Sequence, residues 1–131
     1  MTTITPFLRN VLKADAAFSA VGAVLMAAGA PIVAPLTGLP PTLLIGAGLA
    51  LVPWVALLVY IVRQPGVSRL VMIDVIAVNA LWAAVSVGLL VSGMIAPNAL
   101  GAAFVLAQAL VVAVFAELQF VGMRRAQTAA A

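Results

Sequence analysis

The sequence contains no cysteine and no histidine, and charged residues make up only 7% of its 131 residues. Without those two residue types we expect no disulfide, no thiol or Ser–His chemistry, no haem ligation by His or Cys and no ordinary zinc site. A soluble domain usually has about 25% charged residues. Six bases and three acids are too few to keep a particle of this size hydrated. The shortage of charge therefore excludes soluble globular, disordered, coiled-coil and collagen-like proteins.

What the sequence does have is apolar residues, at 66% of the chain. The nine charges fall into three groups, near the start, the middle and the end. Between Asp15 and Arg63 there are 47 residues without a charge, and between Asp74 and Glu117 there are 42. Because one membrane span needs roughly 20 apolar residues, each stretch has the length for two spans and a turn. The pattern predicts an integral membrane protein.

Turn-forming residues divide the chain into four helices. Prolines and glycines gather at residues 31–41, 64–66 and 93–98. Thr5 and Ser68 are candidate N-caps, and Pro6 suits the first helical position. We predict an all-α fold with a single membrane domain over residues 1–131, a bundle of four transmembrane helices in two helical hairpins. The helices are expected at about residues 6–29, 41–62, 69–92 and 99–124.

All the bases lie at one end of these predicted helices, and the turns at the other end carry none. By the positive-inside rule both termini and the middle loop are expected on the cytoplasmic side of a bacterial inner membrane. The six bases are Arg9, Lys13, Arg63, Arg69, Arg124 and Arg125.

The three acids lie at or just inside the expected cytoplasmic interface, each inward of a base. Together with two amide residues they form a candidate polar layer. One interpretation is a cation or proton site, because carboxylates inside a membrane usually face a partner or a cavity. The other is that neighbouring Arg and Lys side chains pair with the acids and lock the helix ends together, which is the more common arrangement for such shallow acids. The layer comprises Asp15, Asp74, Asn79, Glu117 and Gln119.

Two further groups of residues are candidate contact surfaces. Trp54 and Trp82 fall near the middle of their predicted spans, away from the interfaces where Trp usually lies. They either stack inside the bundle or line a groove for an apolar ligand such as a quinone, lipid or pigment. Small residues on the first predicted helix form a candidate helix-contact face, since small side chains let backbones approach closely in a membrane. That face comprises Ser19, Gly22 and Ala23.

Several segments resemble small four-helix inner-membrane proteins of bacteria. They are Asn79-Ala80-Leu81-Trp82, residues 103–108 and 115–119, and the closing Arg124-Arg125. The resemblance spans the whole chain, and it implies the fold and the membrane without a specific activity. The chain is also similar in size to small multidrug transporters, but it lacks their glutamate in the middle of the first helix, since Asp15 lies towards its edge.

Two functions remain open from the sequence. The first is a non-enzymatic accessory or structural subunit that binds another membrane protein or itself through helix packing, in contact with the lipid bilayer. The second is an oligomeric small transporter or channel in which the cytoplasmic-side carboxylates Asp15, Asp74 and Glu117 act as ion sites. We expect no cofactor, no catalytic residue and no nucleic-acid partner, because no phosphate-binding loop, nucleophile–base pair or basic stripe is present.

Overall fold

The structure, a computed structural model, describes the backbone of residues 1–130 and the side chains of residues 1–127. Within that part the chain is almost entirely helical. Four segments are long and apolar enough to cross a membrane: Pro6–Ala28, Pro41–Val62, Arg69–Val91 and Ala99–Gln127. The prediction of an all-helical chain with four apolar candidate spans is therefore confirmed. The α-helices are α1 (Pro6–Ala23), α2 (Ala30–Thr37), α3 (Pro41–Val62), α4 (Arg69–Val91) and α5 (Ala99–Ala130).

Both N-caps predicted from the sequence, Thr5 and Ser68, are present in the structure. The Thr5 hydroxyl accepts a hydrogen bond from the backbone N–H of Leu8, and Pro6 occupies the first turn, where its missing N–H costs nothing. The Ser68 hydroxyl accepts from the backbone N–H of Val71 in the same way. These caps satisfy donors that the first turn of a helix leaves unpaired, and they fix where α1 and α4 begin.

The segment after α1 differs from the predicted turn. Residues Val24–Ala28 form a π-helical turn, closed by the Gly29 N–H on the Val24 carbonyl oxygen at 3.1 Å. A side chain at Gly29 would collide with the carbonyl oxygen of Leu25. The chain then continues as α2, because Pro31 lies in the first turn of this helix, where proline is tolerated. The proline cluster thus starts a short helix before the chain turns at Gly38, whose φ is +72°.

The four long helices pack side by side, with α1 against both α3 and α5, and α4 along α5. The backbones of α3 and α4 approach each other closely at few points, so a cleft remains between them. α5 is longer than predicted and continues to Ala130.

One end of the molecule gathers the N-terminus, the α3–α4 connection and the last turns of α5. Strand β1 (Thr2–Thr3) pairs antiparallel with β2 (Gly66–Val67), Thr2 opposite Val67 and Thr3 opposite Gly66. The Arg125 guanidinium lies over the Phe7 ring, 5.1 Å from its centre. These contacts place the three segments together.

Asn98 ties the opposite end together. Its side-chain amide donates to the Leu36 carbonyl oxygen at 2.8 Å, and its backbone N–H donates to the Thr37 carbonyl oxygen at 3.0 Å. Its side-chain oxygen accepts from the Gly101 N–H at 2.9 Å, which caps α5. A side chain at Gly101 would collide with the Thr37 carbonyl oxygen, so glycine is required for this close approach of α2 and α5.

The buried apolar side chains form two clusters, one towards each end. Along α1 the first cluster includes Leu8, Leu12 and Ala16, and the second begins at Ala23. Along α4 the first includes Met72 and Val75, whereas Trp82 and Leu89 pack on the second. The buried polar side chains of Ser19 and Asn79 lie between the two clusters.

Candidate functional site

Asp15 is the buried carboxylate of α1, only 1% exposed. One carboxylate oxygen, Oδ1, accepts a hydrogen bond from the Ser19 hydroxyl at 3.1 Å. The other, Oδ2, accepts from the side-chain amides of Asn79 at 2.8 Å and Gln119 at 2.7 Å. The carboxylate of Asp15 therefore accepts hydrogen bonds from one residue of its own helix, one of α4 and one of α5.

The two amides are also bonded to each other. The Asn79 Nδ2 group donates its second hydrogen to the Gln119 side-chain oxygen at 2.9 Å. Asp15, Asn79 and Gln119 thus form a closed ring of hydrogen bonds, and all three are at least 97% buried. A ring of this kind fixes the relative positions of α1, α4 and α5, because each of the three residues is hydrogen-bonded to the other two. We call Asp15, Ser19, Asn79 and Gln119 the polar ring.

Helix periodicity explains why Asp15 faces inward. The buried positions of α1 recur every three or four residues, which is one face of a helix, whereas Lys13 is exposed on the other side. Ser19 is four residues after Asp15 and therefore lies on the same face, one turn deeper. The inward face of α1 thus carries an acid and its first donor, and the base two residues away points outward.

All the donors to Asp15 in the described part of the chain are uncharged. Removing a carboxylate from water is costly, and hydrogen bonds from neutral groups offset that cost only in part. The arrangement suits an acceptor-only carboxylate, since every N–H or O–H of the ring that touches Asp15 points towards it. In its ionised form, Asp15 gives this site a local excess of negative charge in an apolar interior.

The pairing of acids with bases does not hold for Asp15. Lys13, the nearest base on α1, is exposed, and Arg9 directs its guanidinium Nη2 to the carbonyl oxygens of Ile4 at 3.2 Å and Gln64 at 3.3 Å. Arg9 therefore ties the N-terminal segment to the α3–α4 connection. Its distance along α1 explains this, because a residue six positions before Asp15 lies roughly 9 Å nearer the end of the helix.

Asp74 and Glu117 lie outside the polar ring, so the five-residue polar layer does not form as one cluster. Both side chains are exposed on the outside of their helices. Asp74 is five residues before Asn79, and Glu117 is two residues before Gln119; such spacings turn a side chain away from the inward face. Of the predicted layer, the structure brings together Asp15, Asn79 and Gln119.

A cavity of about 230 Å³ adjoins the polar ring. Ser19 and Asn79 form its polar wall, and Trp54 and Trp82 both line it. The two tryptophans predicted at similar depth therefore share one internal space between α3 and α4. The rest of the lining is apolar: Ala50, Leu51, Val78 and Val112.

A second cavity of about 310 Å³ lies in the cleft between α3 and α4. Val78 and Trp82 line both cavities, so the second one begins where the first ends. The Trp82 ring is held in place, since its Nε1 donates to the Gln108 side-chain oxygen at 2.8 Å. Leu81 and Val85 lie on the rim of the cleft, and their side chains are 62% and 50% exposed. The other lining residues are mainly apolar and include Leu43, Leu44, Leu89 and Phe104.

The residues of the predicted helix-contact face of α1 make different kinds of contact. Ser19 belongs to the polar ring, whereas Ala23 lies against α3 at Gly48, where an added Cβ would be 3.0 Å from the Ala23 carbonyl oxygen and 2.8 Å from the Ala27 Cβ. Gly22 has ordinary space, because an added Cβ would meet the Leu51 side chain at 3.4 Å. Gly48 therefore lets α3 come close to the backbone at Ala23 and Ala27.

Two roles were missed by the sequence reasoning. Ser19 was assigned to helix packing, although its spacing of four from Asp15 is the signal for a hydrogen bond between them. Gly48 had no predicted partner, because the sequence carries no signal for which side of the second span faces α1.

Comparison with known proteins found no relative: no family model, no curated protein and no solved structure matches the chain. The resemblance to small inner-membrane proteins of bacteria stays a prediction. The site is interpreted from its own geometry.

Proposed function

We propose that the chain is embedded in a bacterial inner membrane by four spans, arranged as two hairpins with both termini in the cytoplasm. The distribution of bases supports this. Arg63 and Arg69 flank the α3–α4 connection, and Arg9 and Arg125 contact the same end of the molecule. The end tied together by Asn98 has no basic residue in its connections, and positive charge is retained on the cytoplasmic side.

Reporter fusions test the orientation. Fusions at Thr37 and Pro97 should report the periplasm, and fusions at Gln64 and Ala131 the cytoplasm. A cytoplasmic signal at Thr37 would overturn the hairpin arrangement.

We propose that the protein has no enzymatic activity and serves as an accessory or structural subunit that binds other membrane proteins, or itself, through helix packing. The observation that carries this proposal is how little chain lies outside the spans. Between the spans lie only residues 29–40, which include α2, residues 63–68 and residues 92–98, and each connection is hydrogen-bonded to a neighbouring segment. A chain built in this way meets its partners through the lateral surfaces of its helices.

One exposed surface suits such a contact. On α4, the small residues Ala80, Ala84 and Gly88 are spaced by four and are all exposed. An added Cβ at Gly88 would meet nothing within 4 Å. Small residues at this spacing let a second helix approach closely, which is what drives helix association in lipid. Ser19 and Ala23 of α1, by contrast, are buried within the chain.

The test compares two substitutions that each place a leucine at an exposed small residue. Gly88→Leu should reduce self-association or the recovery of a co-purifying membrane protein in mild detergent, with an unchanged thermal midpoint of unfolding for the isolated chain. The control, Ala56→Leu, lies on the exposed face of α3 between Val52 and Tyr60 and should leave association unchanged. Equal association for the parent protein and Gly88→Leu would contradict the proposed surface.

A second candidate function is a small transporter or channel, and the burial of Asp15 favours it. A carboxylate held by neutral groups inside a membrane is typical of proton and ion pathways. Asp74 and Glu117 are exposed, so Asp15 alone carries this candidate. Ion flux into liposomes containing the protein should then fall to the background of protein-free liposomes for Asp15→Asn and persist for Asp74→Asn. Flux that survives Asp15→Asn would reject it.

A further inference from the structure

We propose that the cavity beside the polar ring is a binding site for an organic cation with an apolar tail. The ammonium head would lie between Trp54 and Trp82, against Ser19 and Asn79, and the tail would occupy the cleft between α3 and α4. The inference concerns binding alone. It holds whether or not the protein has a partner subunit, and whether or not the bound molecule crosses the membrane.

The hydrogen bonds of the polar ring determine the sign of charge that the site accepts. Ser19 donates its only hydroxyl hydrogen to Asp15, and Asn79 uses both hydrogens of its amide on Asp15 and Gln119. The two polar residues that line the cavity therefore have only acceptor capacity left. With the Asp15 carboxylate directly behind them, they favour a positively charged head and disfavour an anion.

The aromatic walls favour the same class of ligand. The faces of Trp side chains attract cations, more strongly than those of Tyr or Phe, and the attraction increases when the site excludes water. The Nε1–H of Trp82 is already bonded to Gln108, so this ring has no donor left for a ligand. Quaternary and tertiary ammonium groups are recognised by such aromatic surroundings.

The adjoining cleft explains why the ligand needs an apolar tail. Leu43, Leu89 and Phe104 are among its walls, and its rim residues Leu81 and Val85 are exposed. In a bilayer that rim meets lipid, so a molecule already dissolved in the membrane can enter sideways. Ligand sites commonly measure about 300–1,000 Å³. With about 230 Å³ beside the ring and about 310 Å³ in the cleft, the space suits one chain with a small head.

A neutral apolar ligand such as a quinone fits the same walls less well. Quinone oxygens accept hydrogen bonds, whereas Ser19 and Asn79 have no hydrogen left to donate to a ligand. The charge of the head is therefore the property to vary in a test.

The experiment uses the full chain in phosphatidylcholine nanodiscs and measures its intrinsic fluorescence. Trp54 and Trp82 are the only two tryptophans of the sequence, so the signal reports the proposed site. The probe is decyltrimethylammonium. The comparison molecule is decyldimethylamine oxide at pH 8, which has the same tail and a head of nearly the same shape without net charge. The cation should shift the tryptophan emission saturably and bind at least about tenfold more tightly than the amine oxide.

Two matched variants separate the buried charge from charge in general. Asp15→Asn should weaken binding of the cation about tenfold or more and leave the amine oxide almost unaffected. Asp74→Asn removes the same charge from an exposed position near the same end and should bind the cation like the parent protein.

A third variant covers the case in which Asp15→Asn does not fold. Ala50→Phe adds bulk to the wall of the cavity without touching the polar ring, and it should abolish the saturable shift. Equal affinity for the cation and the amine oxide, unchanged cation affinity in Asp15→Asn, or a saturable shift that survives Ala50→Phe would each overturn the proposal. The absence of a saturable shift in the parent protein would overturn it as well.

Discussion

The side-chain amide of Gln119 donates a 2.7 Å hydrogen bond to the carboxylate of Asp15, although the two residues lie 104 positions apart in the chain. The oxygen of the same amide accepts from Asn79 at 2.9 Å. Gln119 is fully buried and acts in the polar ring as donor and acceptor together. An amide is therefore the side chain that this position requires, since a carboxylate has no hydrogen to donate and an alkyl group has neither function.

Gln119→Glu should be strongly destabilising. The substitution replaces a donor by a second carboxylate beside Asp15 with little change in size, so two like charges meet in a buried site. We expect a loss of about 1–3 kcal/mol or more in the free energy of unfolding, measured by thermal or denaturant unfolding in detergent. Asn10→Asp makes the same chemical change at an exposed position of α1 and should stay close to the parent protein. A Gln119→Glu variant as stable as Asn10→Asp would show that the ring contributes nothing.

Two glycines of α3 should respond in opposite ways to alanine. At Gly48 an added Cβ would lie 2.8 Å from the Cβ of Ala27, so α3 and the segment after α1 must move apart. Overpacking of this kind costs about 1–3 kcal/mol. At Gly46 nothing lies within 4 Å, and alanine is the better helix former by about 1 kcal/mol. We expect a lower thermal midpoint for Gly48→Ala and an equal or higher one for Gly46→Ala. Similar midpoints would place the contact elsewhere.

Asn98→Ala should loosen the end of the molecule opposite the N-terminus. The substitution removes the cap of α5 and the side-chain bond to the Leu36 carbonyl oxygen, and it keeps the backbone bond to Thr37. Loss of a cap costs about 0.5–2 kcal/mol. Amide hydrogen exchange should therefore increase in the first turn of α5 and near residues 36–38, while exchange around Thr2 and Val67 is unchanged. Uniform exchange across both ends would argue against a local clamp.

Trp82→Phe should have a small effect on stability. It removes the hydrogen bond to Gln108 and retains a ring at the junction of the two cavities. Hydrogen bonds between membrane helices contribute about 0.6 kcal/mol on average. The variant leaves Trp54 as the single fluorophore, so one sample gives both the unfolding midpoint and the emission of the cavity wall. A loss of several kcal/mol would assign Trp82 a packing role larger than its hydrogen bond.

The spans follow from the sequence because lipid requires long apolar helices and proline, glycine and hydroxyl residues mark their starts. Pro6 after Thr5 and the run after Ser68 set the first residues of α1 and α4 correctly. The helix α2 was not predicted, since Pro31 was interpreted as part of a turn and not as a residue of a first helical turn. The π-helical turn at Val24–Ala28 depends on how α1 and α3 meet, which has no local sequence signal.

The polar site was predicted only in part, because the sequence gives the depth of a residue along its helix but not the direction that its side chain faces. Asp15, Asn79 and Gln119 were chosen by their depth, and depth follows directly from distance along a helix. Which side of its helix each residue faces depends on the packing of the others. Asp74 and Glu117 share that depth and are exposed, whereas Ser19 joins Asp15 through a spacing of four that was assigned to another purpose.

The polar ring has a consequence for the order in which the protein is made. The amide partners of Asp15 lie 64 and 104 residues further along the chain. At about 5–20 residues per second, the ribosome adds Gln119 roughly 5–20 s after Asp15. If the chain is inserted as proposed above, α1 would lie in the bilayer during that interval with only Ser19 bonded to its acid. Insertion of α4 and α5 would then complete the ring, which would link the membrane integration of the first span to the arrival of the last.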